Sequence, residues 1–356
     1  MITKTLISSL TIVAWFGCNL LAQNSKVWQL QETKVQASLR GLCVVDDQIV
    51  WASGTAGTVI KTTNQGQQWS HCSIESASEL DFRDIHAWNE KRALVVSAGQ
   101  PARIYRTEDG GQNWQLVFEH PNQMAFFDAV SFWDEKNGIA MSDPTNGRIL
   151  LIVTKDGGKT WNELDFEYRP IAMRGEGGFA ASGTNMAISN SRCLIALGSA
   201  EENQNENSSR IIYSDDKGLH WNTANAPITR DPSSGIFSIA FANDGHGVAV
   251  GGNYLKPNLK NSNVAITTDR GLTWKRPSGS PPRGYRSGVA ACNRSEGKHF
   301  VAVGPDGTDI SSDRGNHWTP ASDTGFHAVG FTKNGSIGWA SGSDGRVAKW
   351  VGDLDQ

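Results

Sequence analysis

The sequence lacks most of the signatures by which enzymes and nucleic-acid-binding proteins are recognised. It has no GxxxxGK[ST] phosphate loop, no GxSxG nucleophile motif and no HExxH zinc motif. Its "GEGG" stretch (175–178) is not a dinucleotide fingerprint followed by a helix, so no motif supports oxidoreductase activity. The eight histidines show no metal-ligand spacing, and the formal net charge is only −3. We therefore expect no metal, no cofactor and no nucleic-acid partner.

Long apolar runs are also scarce. The one candidate lies at the N-terminus, where Lys4 precedes an apolar run from Leu6 to Phe16 and Ala22 offers a cleavage point. This pattern predicts a signal peptide over residues 1–22 and a secreted or periplasmic protein. The alternative is a lipoprotein processed at Cys18. No later segment is long and apolar enough to predict a membrane span.

The chain is rich instead in glycine, with 38, and in tryptophan, with 13, against only 12 prolines. An eight-residue phrase explains much of this composition. It reads Ser/Thr, any, Asp, any, Gly, any, any, Trp, and Asn64 replaces Asp in its first copy. The copies occupy 62–69, 107–114, 154–161, 214–221, 267–274 and 311–318. A repeat of this length between short strands predicts the blades of a β-propeller.

Each copy is interpreted as the hairpin turn between two strands. The Asp carboxylate can accept backbone N–H bonds within the turn, and the Ser/Thr hydroxyl can add a local bond. The Gly supplies a backbone angle that other residues resist, and the Trp buries apolar area over the turn. The Asp and Gly are therefore assigned to structure rather than to catalysis or metal binding.

Each turn joins the third and fourth strands of a unit, and two further strands precede them. Six units contain the turn, and a seventh unit at the end of the chain has only its first three strands. The first strand of the fourth unit is predicted at "AASGTNMA" (180–187). The last unit lacks its fourth strand, and "SKVWQLQET" (25–33), with Trp28 in the Trp place, supplies it. The sequence thus predicts an all-β, seven-bladed propeller of four-stranded antiparallel blades over residues 25–352, closed by its N-terminal strand.

This architecture also decides the state of the cysteines. Cys43 and Cys72 fall on the innermost and outermost strands of one blade, about 14 Å apart at about 4.8 Å per strand. A disulfide needs α-carbons within about 7 Å. Cys193 and Cys292 fall in different blades. Free, mostly buried thiols are predicted.

The phrases around these strands resemble a known family. "SLRGLCVVDDQIVWASGTAGTV", "LDFRDI", "GEGGFAASGT" and "GFHAVGF" are similar to bacterial Asp-box (BNR-repeat) propellers of the photosystem II stability/assembly factor-like family. The likeness covers nearly all of the chain after the signal peptide. It implies a seven-bladed propeller, in a bacterial protein, with an assembly or protein-binding role.

The inner strands of a propeller begin on the face opposite these turns, so candidate ligand-binding residues are sought there. Four candidates follow one another around the ring, in blades six, seven, one and two: Arg286, His327, Arg40 and Arg83. Asp128 comes next, in blade three. Arginine offers a fork of donors suited to an anion. The structural alternative is that these arginines pair with Asp81, Asp84 or Asp128. The long loops 162–179, 201–209 and 253–263 are predicted to share this face.

The predicted function is a monomeric, non-catalytic binding or assembly propeller that engages a protein, a glycan or a small anionic ligand on that face. The alternative is a sialidase-like glycosidase or another polysaccharide-active enzyme. Its candidate catalytic residues are Tyr285, Glu176 and Asp84. The Arg-Ile-Pro phrase of sialidases is absent, since the equivalent strand reads Leu39-Arg40-Gly41-Leu42.

Overall fold

The computed structural model describes residues 27–199 and 208–354. The predicted signal peptide, its alternative at Cys18 and residues 201–207 of one predicted loop lie outside the described residues. Within them, the strands form seven antiparallel sheets, which confirms the predicted seven-bladed propeller.

The strands follow one another blade by blade. The N-terminal strand is β1 (Trp28–Gln31). Blade one contains β2 (Leu39–Val44), β3 (Val50–Gly54), β4 (Val59–Thr62) and β5 (Ser70–His71). Blade two contains β6 (Asp81–Ala87), β7 (Ala93–Ala98), β8 (Arg103–Thr107) and β9 (Gln115–Glu119). Blade three contains β10 (Phe127–Phe132), β11 (Gly138–Thr145), β12 (Arg148–Thr154) and β13 (Asn162–Glu163).

The remaining four blades include two short strands, β14 (Glu176–Gly177) and β17 (Gly198–Ser199), that extend the sheet of blade five. Blade four contains β15 (Met186–Ser189), β16 (Arg192–Ala196), β18 (Ser209–Ser214) and β19 (Asn222–Ala226), and blade five contains β20 (Ser234–Phe241), β21 (Gly247–Asn253) and β22 (Val264–Thr267). Blade six contains β23 (Gly288–Cys292), β24 (His299–Gly304), β25 (Gly307–Ser311) and β26 (Thr319–Ser322). Blade seven contains β27 (Ala328–Phe331), β28 (Gly338–Ser341) and β29 (Val347–Trp350). Three single-turn 3₁₀ helices lie at Glu75–Ala77, Phe166–Tyr168 and Ser295–Gly297.

The ring is closed by its own N-terminus. Strand β1 pairs antiparallel with β29, and Trp28 faces Trp350 in this register. The Trp28 indole packs edge-on against Trp350 and donates its N–H to the Thr308 hydroxyl of blade six at 2.9 Å. A strand from the start of the chain therefore completes the last blade, as the sequence predicts.

Two details differ from the prediction of four strands per blade. In blade five the fourth strand is reduced to one bridge between Ile266 and Lys275, because Pro277, Pro281 and Pro282 follow and cannot donate to a strand ladder. In blade four the inner strand begins at Met186 rather than at residue 180. Residues 180–185 form turns instead, and Gly183 has φ +70°, which is not extended backbone.

The core consists of apolar layers between neighbouring blades. Leu94 and Ile104 of blade two, for example, pack against Phe127 and Ala140 of blade three, and all four are fully buried. Burial of each large apolar side chain stabilises the fold by roughly 1.5–3 kcal/mol. Each blade is held by both neighbours, which gives the central channel a rigid wall.

The repeated turns use the predicted hydrogen bonds. In the second copy the Thr107 hydroxyl donates to the Asp109 carboxylate at 2.9 Å and accepts the Gly111 N–H at 2.9 Å. The same carboxylate accepts the Asn113 N–H at 2.9 Å. These turns join the third and fourth strands, so they lie on one face of the ring, here called the turn face. The opposite face, where the inner strands begin, is called the pocket face.

Candidate functional site

A cavity of about 400 Å³ opens at the centre of the pocket face. Its lining comes from two different kinds of side chain on two sides. Arg40, Arg83 and His327 come from blades one, two and seven and form the basic side. The aromatic side is formed by Phe179, Phe237, Tyr254 and Tyr285, with Pro305 beside them. This cavity is called the central pocket.

Arg40 is the least compensated cation of the central pocket. Its guanidinium donates to the Ala181 carbonyl at 3.2 Å, and no carboxylate forms an ion pair with it among the described residues. Burial lowers the pKa of Arg40, and the neighbouring Arg83 lowers it further. An anion placed here would relieve both effects, because it offsets the charge that burial and repulsion disfavour.

Arg83 lies beside Arg40 and is partly compensated. Its Nε donates to the Asp81 carboxylate at 2.7 Å, and its Nη1 donates to the Ala180 carbonyl at 3.4 Å. The Asp81 pairing matches the structural alternative stated above, yet a third of the Arg83 side chain stays exposed to the pocket. Arg83 can therefore still donate to a bound group.

His327 contributes a neutral imidazole. Its Nε2 lies 3.0 Å from the hydroxyls of both Ser38 and Ser343. Burial lowers the pKa of His327 to about 3, with additional contributions from Arg40 and two other arginines. At neutral pH the positive charge of the pocket therefore comes from the arginines alone.

The aromatic side is preassembled. Phe179 and Phe237 stack with ring centroids 3.9 Å apart, and Tyr285 packs edge-on against Phe237 at 4.7 Å. Tyr254 packs edge-on against both phenylalanines and is 47% exposed. Such a wall offers a flat apolar surface directly opposite a cation, which suits a ligand with both characters.

Arg286 and Asp128 are placed in the blade packing and do not line the central pocket. Arg286 is fully buried, and its Nε donates to the Asp309 carboxylate at 2.7 Å. Asp128 is buried next to Gly178, where burial, followed by the nearby Asp143, raises its pKa. Of the predicted anion-facing residues, the fold thus brings Arg40, Arg83 and His327 into one cavity and separates Arg286 and Asp128 from it.

The three residues considered for catalysis lie in different places. Tyr285 lines the central pocket, and burial raises the pKa of its hydroxyl well above the ordinary value. Glu176 lies by a separate cavity of about 470 Å³ beside blade three and is paired with Arg210, whose Nε donates at 2.9 Å. Asp84 is buried and accepts the N–H groups of Ile85 and Val130, each at 2.8 Å.

A segment that crosses the pocket face was predicted only in part, because the sequence predicts a loop up to residue 179 and an inner strand from residue 180. This crossing segment (175–184) supplies Phe179 and the two carbonyls that Arg40 and Arg83 contact. Its Ser182 hydroxyl donates to the Ser287 carbonyl of blade six at 2.8 Å. The sequence signal for this segment was its high glycine content. Its backbone passes so close to the side chains beneath it that only glycine fits at several positions.

Three carboxyl groups lie under the crossing segment, of which those of Asp84 and Asp128 are buried and that of Asp143 is half-buried. The backbone of Gly177, Gly178 and Gly183 passes so close to Asp143, Asp128 and Asp84, respectively, that a methyl group at any of these glycines would overlap the carboxyl. Burial raises the pKa of Asp84 to about 7, despite its two N–H donors, and that of Asp143 to about 6. The crossing segment thus covers aspartates whose ionised form is disfavoured by burial.

The described part of the chain shows no group of three or more histidine, cysteine, aspartate or glutamate side chains placed to hold a metal ion. Within the same part, no helix is long and apolar enough to cross a membrane. Cys43, Cys72 and Cys193 are free thiols, as predicted, and the buried Cys292 thiol donates to the Gly335 carbonyl at 3.3 Å.

Comparison with known proteins gives the chain its context. Residues 20–124 match the family described as photosynthesis system II assembly factor YCF48. The chain is 29% identical over 114 residues to the chloroplastic photosystem II stability/assembly factor HCF136 of Arabidopsis thaliana. It is 24% identical over 141 residues to the photosystem II assembly lipoprotein Ycf48 of Synechococcus sp. (strain CC9902). The chain resembles the photosystem II assembly factors.

These sequence matches are partial, and the fold match is broad. They cover 30% and 39% of this chain and 26% and 40% of the two relatives, respectively. A solved structure described as YCF48 bound to D1 peptide superposes with a TM-score of 0.66, covering 94% of this chain and 99% of its own, at 18% identity. The likeness in fold thus covers nearly all of the chain, whereas each sequence match covers less than half of it.

Proposed function

We propose that this chain is a non-catalytic, protein-binding propeller that holds an acidic group of a partner polypeptide in the central pocket. The observation that carries the proposal is Arg40, whose guanidinium faces the pocket with only a carbonyl partner, opposite a preassembled aromatic wall. An acidic side chain or a terminal carboxylate would supply the missing charge. Adjacent apolar atoms of the same polypeptide would pack on the aromatic rings.

The relatives support a polypeptide as the occupant. Two of the similar proteins are named as assembly factors, and one similar structure is described with a bound peptide. An anionic glycan or a small anion is the alternative ligand for the same pocket. The residues that a glycosidase would need do not favour the enzymatic alternative, because Tyr285, Glu176 and Asp84 do not meet in one cavity.

The proposal includes export from the cytoplasm. It rests on the predicted signal peptide over residues 1–22, and the Synechococcus relative is named as a lipoprotein. Mass spectrometry of the purified mature chain would distinguish cleavage after Ala22 from a lipid on Cys18. A chain that retains residues 1–22 after expression in an exporting host would contradict the export proposal.

The binding proposal is tested by thermal shift with a matched ligand panel. Acidic peptides and their amide counterparts, in which Gln replaces Glu, are compared with sialic acid, uronic acid oligosaccharides, succinate and phosphate. An acidic peptide at one hundred times its Kd should stabilise the fold by about 2.7 kcal/mol. We expect this stabilisation to be lost in Arg40→Gln.

A matched control keeps this test specific. Arg92, a half-buried arginine whose Nη2 lies 3.3 Å from the Glu135 carboxylate, lies outside the central pocket. Arg92→Gln should therefore respond to acidic peptides like the unaltered chain. A response to sugar acids without any response to peptides would replace the proposal by glycan binding. Stabilisation that Arg40→Gln leaves intact would overturn the assignment of the pocket.

A further inference from the structure

The loop between β21 and β22 exposes apolar surface beside the central pocket. In this loop, here called the blade-five arm (253–263), Leu255 is 68% exposed and Leu259 is 51% exposed. Tyr254, at the base of the arm, is half-exposed and also lines the central pocket. The apolar surface of the arm is therefore continuous with the aromatic wall of the pocket.

The blade-five arm is held in place by the ring. The Tyr254 N–H donates to the Ser233 carbonyl at 3.1 Å, and the Pro257 carbonyl accepts the Tyr285 N–H from blade six at 2.8 Å. The Asn253 side chain accepts the N–H groups of Leu255 and Lys256, each at 2.9 Å. An exposed apolar loop that is already ordered loses little conformational entropy when a partner covers it.

The charge of the arm has one sign. Its eleven residues include Lys256 and Lys260, both exposed, and no aspartate or glutamate. No ion pair is formed by either lysine among the described residues. With Arg40 in the adjoining pocket, the arm forms a basic surface that contains two exposed leucines. Such a surface is complementary to a segment that carries both acidic and apolar residues.

We propose that the blade-five arm binds an acidic, apolar segment of the same partner polypeptide whose acidic group enters the central pocket. This inference rests on the proposed function, since Tyr254 joins the two surfaces and one extended chain can cover both. The pocket anchors the partner through charge, and the arm selects among acidic partners by requiring apolar residues next to the anchor. The arm is thus a specificity-determining surface.

The test uses a random library of twelve-residue peptides displayed on phage and panned against the unaltered chain and an arm variant. The arm variant carries Leu255→Ser and Leu259→Ser. Since both side chains are exposed, these substitutions leave the core intact. The matched control carries Leu219→Ser and Leu272→Ser, which alter two exposed leucines in repeated turns on the opposite face.

We expect the unaltered chain and the control to select peptides enriched in acidic residues with apolar residues nearby. The arm variant should still select acidic residues but lose the apolar enrichment. In fluorescence anisotropy, the best selected peptide should bind the arm variant at least tenfold more weakly than the control. The same peptide shortened to its acidic residues should bind both variants equally.

The outcomes separate this inference from the function on which it rests. Peptides that depend on Arg40 but bind the arm variant unchanged would overturn the arm while leaving the proposed function in place. Peptides that are insensitive to Arg40→Gln, or the selection of none, would overturn both. If the arm variant instead changed the sedimentation coefficient, or binding to vesicles of phosphatidylglycerol, the arm would be a contact for a second copy or a lipid surface, respectively.

Discussion

On the turn face, the aspartate of a repeated turn accepts hydrogen bonds within its own turn. Asp109, for example, accepts hydrogen bonds from the side chain and the backbone N–H of Asn113, and these bonds lower the pKa of Asp109 to about 2. On the pocket face, Asp84 is buried and Asp143 is half-buried, and burial raises the pKa of each. The first kind of aspartate is stabilised as an anion. The second kind is held where an anion is disfavoured.

This comparison shows how one fold separates structural from functional chemistry. The turn-face residues satisfy one another within eight residues, and their phrase recurs in six of the seven blades. The pocket-face residues depend on neighbours from other parts of the ring, so arginines at similar positions, such as Arg40 and Arg286, have different partners. Binding is accordingly expected where polar groups are left incompletely paired, at Arg40 above all.

The largest expected effect contrasts two arginines of the pocket face. Arg286→Met should lower the free energy of unfolding by about 3 kcal/mol, because the buried Asp309 carboxylate loses its fully buried partner and keeps only the partly exposed Arg283, whose Nε lies 3.1 Å away. Arg40→Gln should change stability by less than about 1 kcal/mol, since only a carbonyl loses a donor. Urea unfolding followed by tryptophan fluorescence measures both. Equal losses would show that Arg40 is also structural.

The next effect compares a glycine on each face. Gly183 and Gly218 both have positive φ, +70° and +93°, so alanine strains the backbone at either. At Gly218 the added methyl would find its nearest neighbours at 3.6 Å, whereas at Gly183 it would overlap the Asp84 carboxyl. We expect losses of about 1 kcal/mol for Gly218→Ala and about 3 kcal/mol for Gly183→Ala in the same unfolding assay. A reversed order would contradict the close packing of the crossing segment.

The third effect is a dependence on pH, which is modest for one pH unit and accumulates over several. Asp84 and Asp143 have pKa values of about 7 and about 6 in the fold, above the ordinary value of 3.8. The folded chain therefore holds protons that the unfolded chain releases. Stability should rise as pH falls from 8 to 5, by up to about 1.4 kcal/mol per pH unit for each group. Unfolding curves at pH 8, 6.5 and 5 measure this slope.

Substitutions on the two faces sharpen this third prediction. Asp84→Asn should remove the part of the slope that lies above about pH 6, because a neutral amide replaces the titrating carboxyl while Asp143 still titrates below that pH. The turn-face Asp109 has its pKa lowered to about 2, so it loses its stabilising bonds only as pH falls below about 4. Asp109→Asn should leave the slope between pH 8 and 5 unchanged. Loss of the slope in Asp109→Asn would contradict the opposed roles of the two faces.

The sequence was sufficient to predict the fold because the repeated turn is self-contained. Its Thr, Asp, Gly and Trp lie within eight residues, so their spacing alone indicates their hydrogen bonds. Ring closure was also predictable, because the last unit lacks a fourth strand and the segment around Trp28 resembles the fourth strands of the other units. The start of the inner strand of blade four was harder to predict, because the hydrogen-bond partners of Ser182 and Thr184 belong to blades six and five, respectively.

The candidate site was predictable only in part. Arg40 and Arg286 occupy similar positions before or within inner strands, but the partner of Arg286 lies 23 residues further on, in β25. A signal did exist there, because β25 reads "GTDIS" and an acid at a buried strand position requires a cation. The blade-five arm shows no such signal, because the exposure of its leucines depends on the ring around it.

The closure of the last blade by β1 has a consequence for how the molecule can be attached to other things. Strands β1 and β29 are antiparallel, and the Val351 N–H donates to the Val27 carbonyl at 2.9 Å, so the chain enters and leaves the ring at one point of its outer edge, on the turn face. A linker or a tag joined next to Val27 or Val351 therefore leaves from the side opposite the central pocket. Immobilised at either of these positions, the propeller would present its pocket to the surrounding solution.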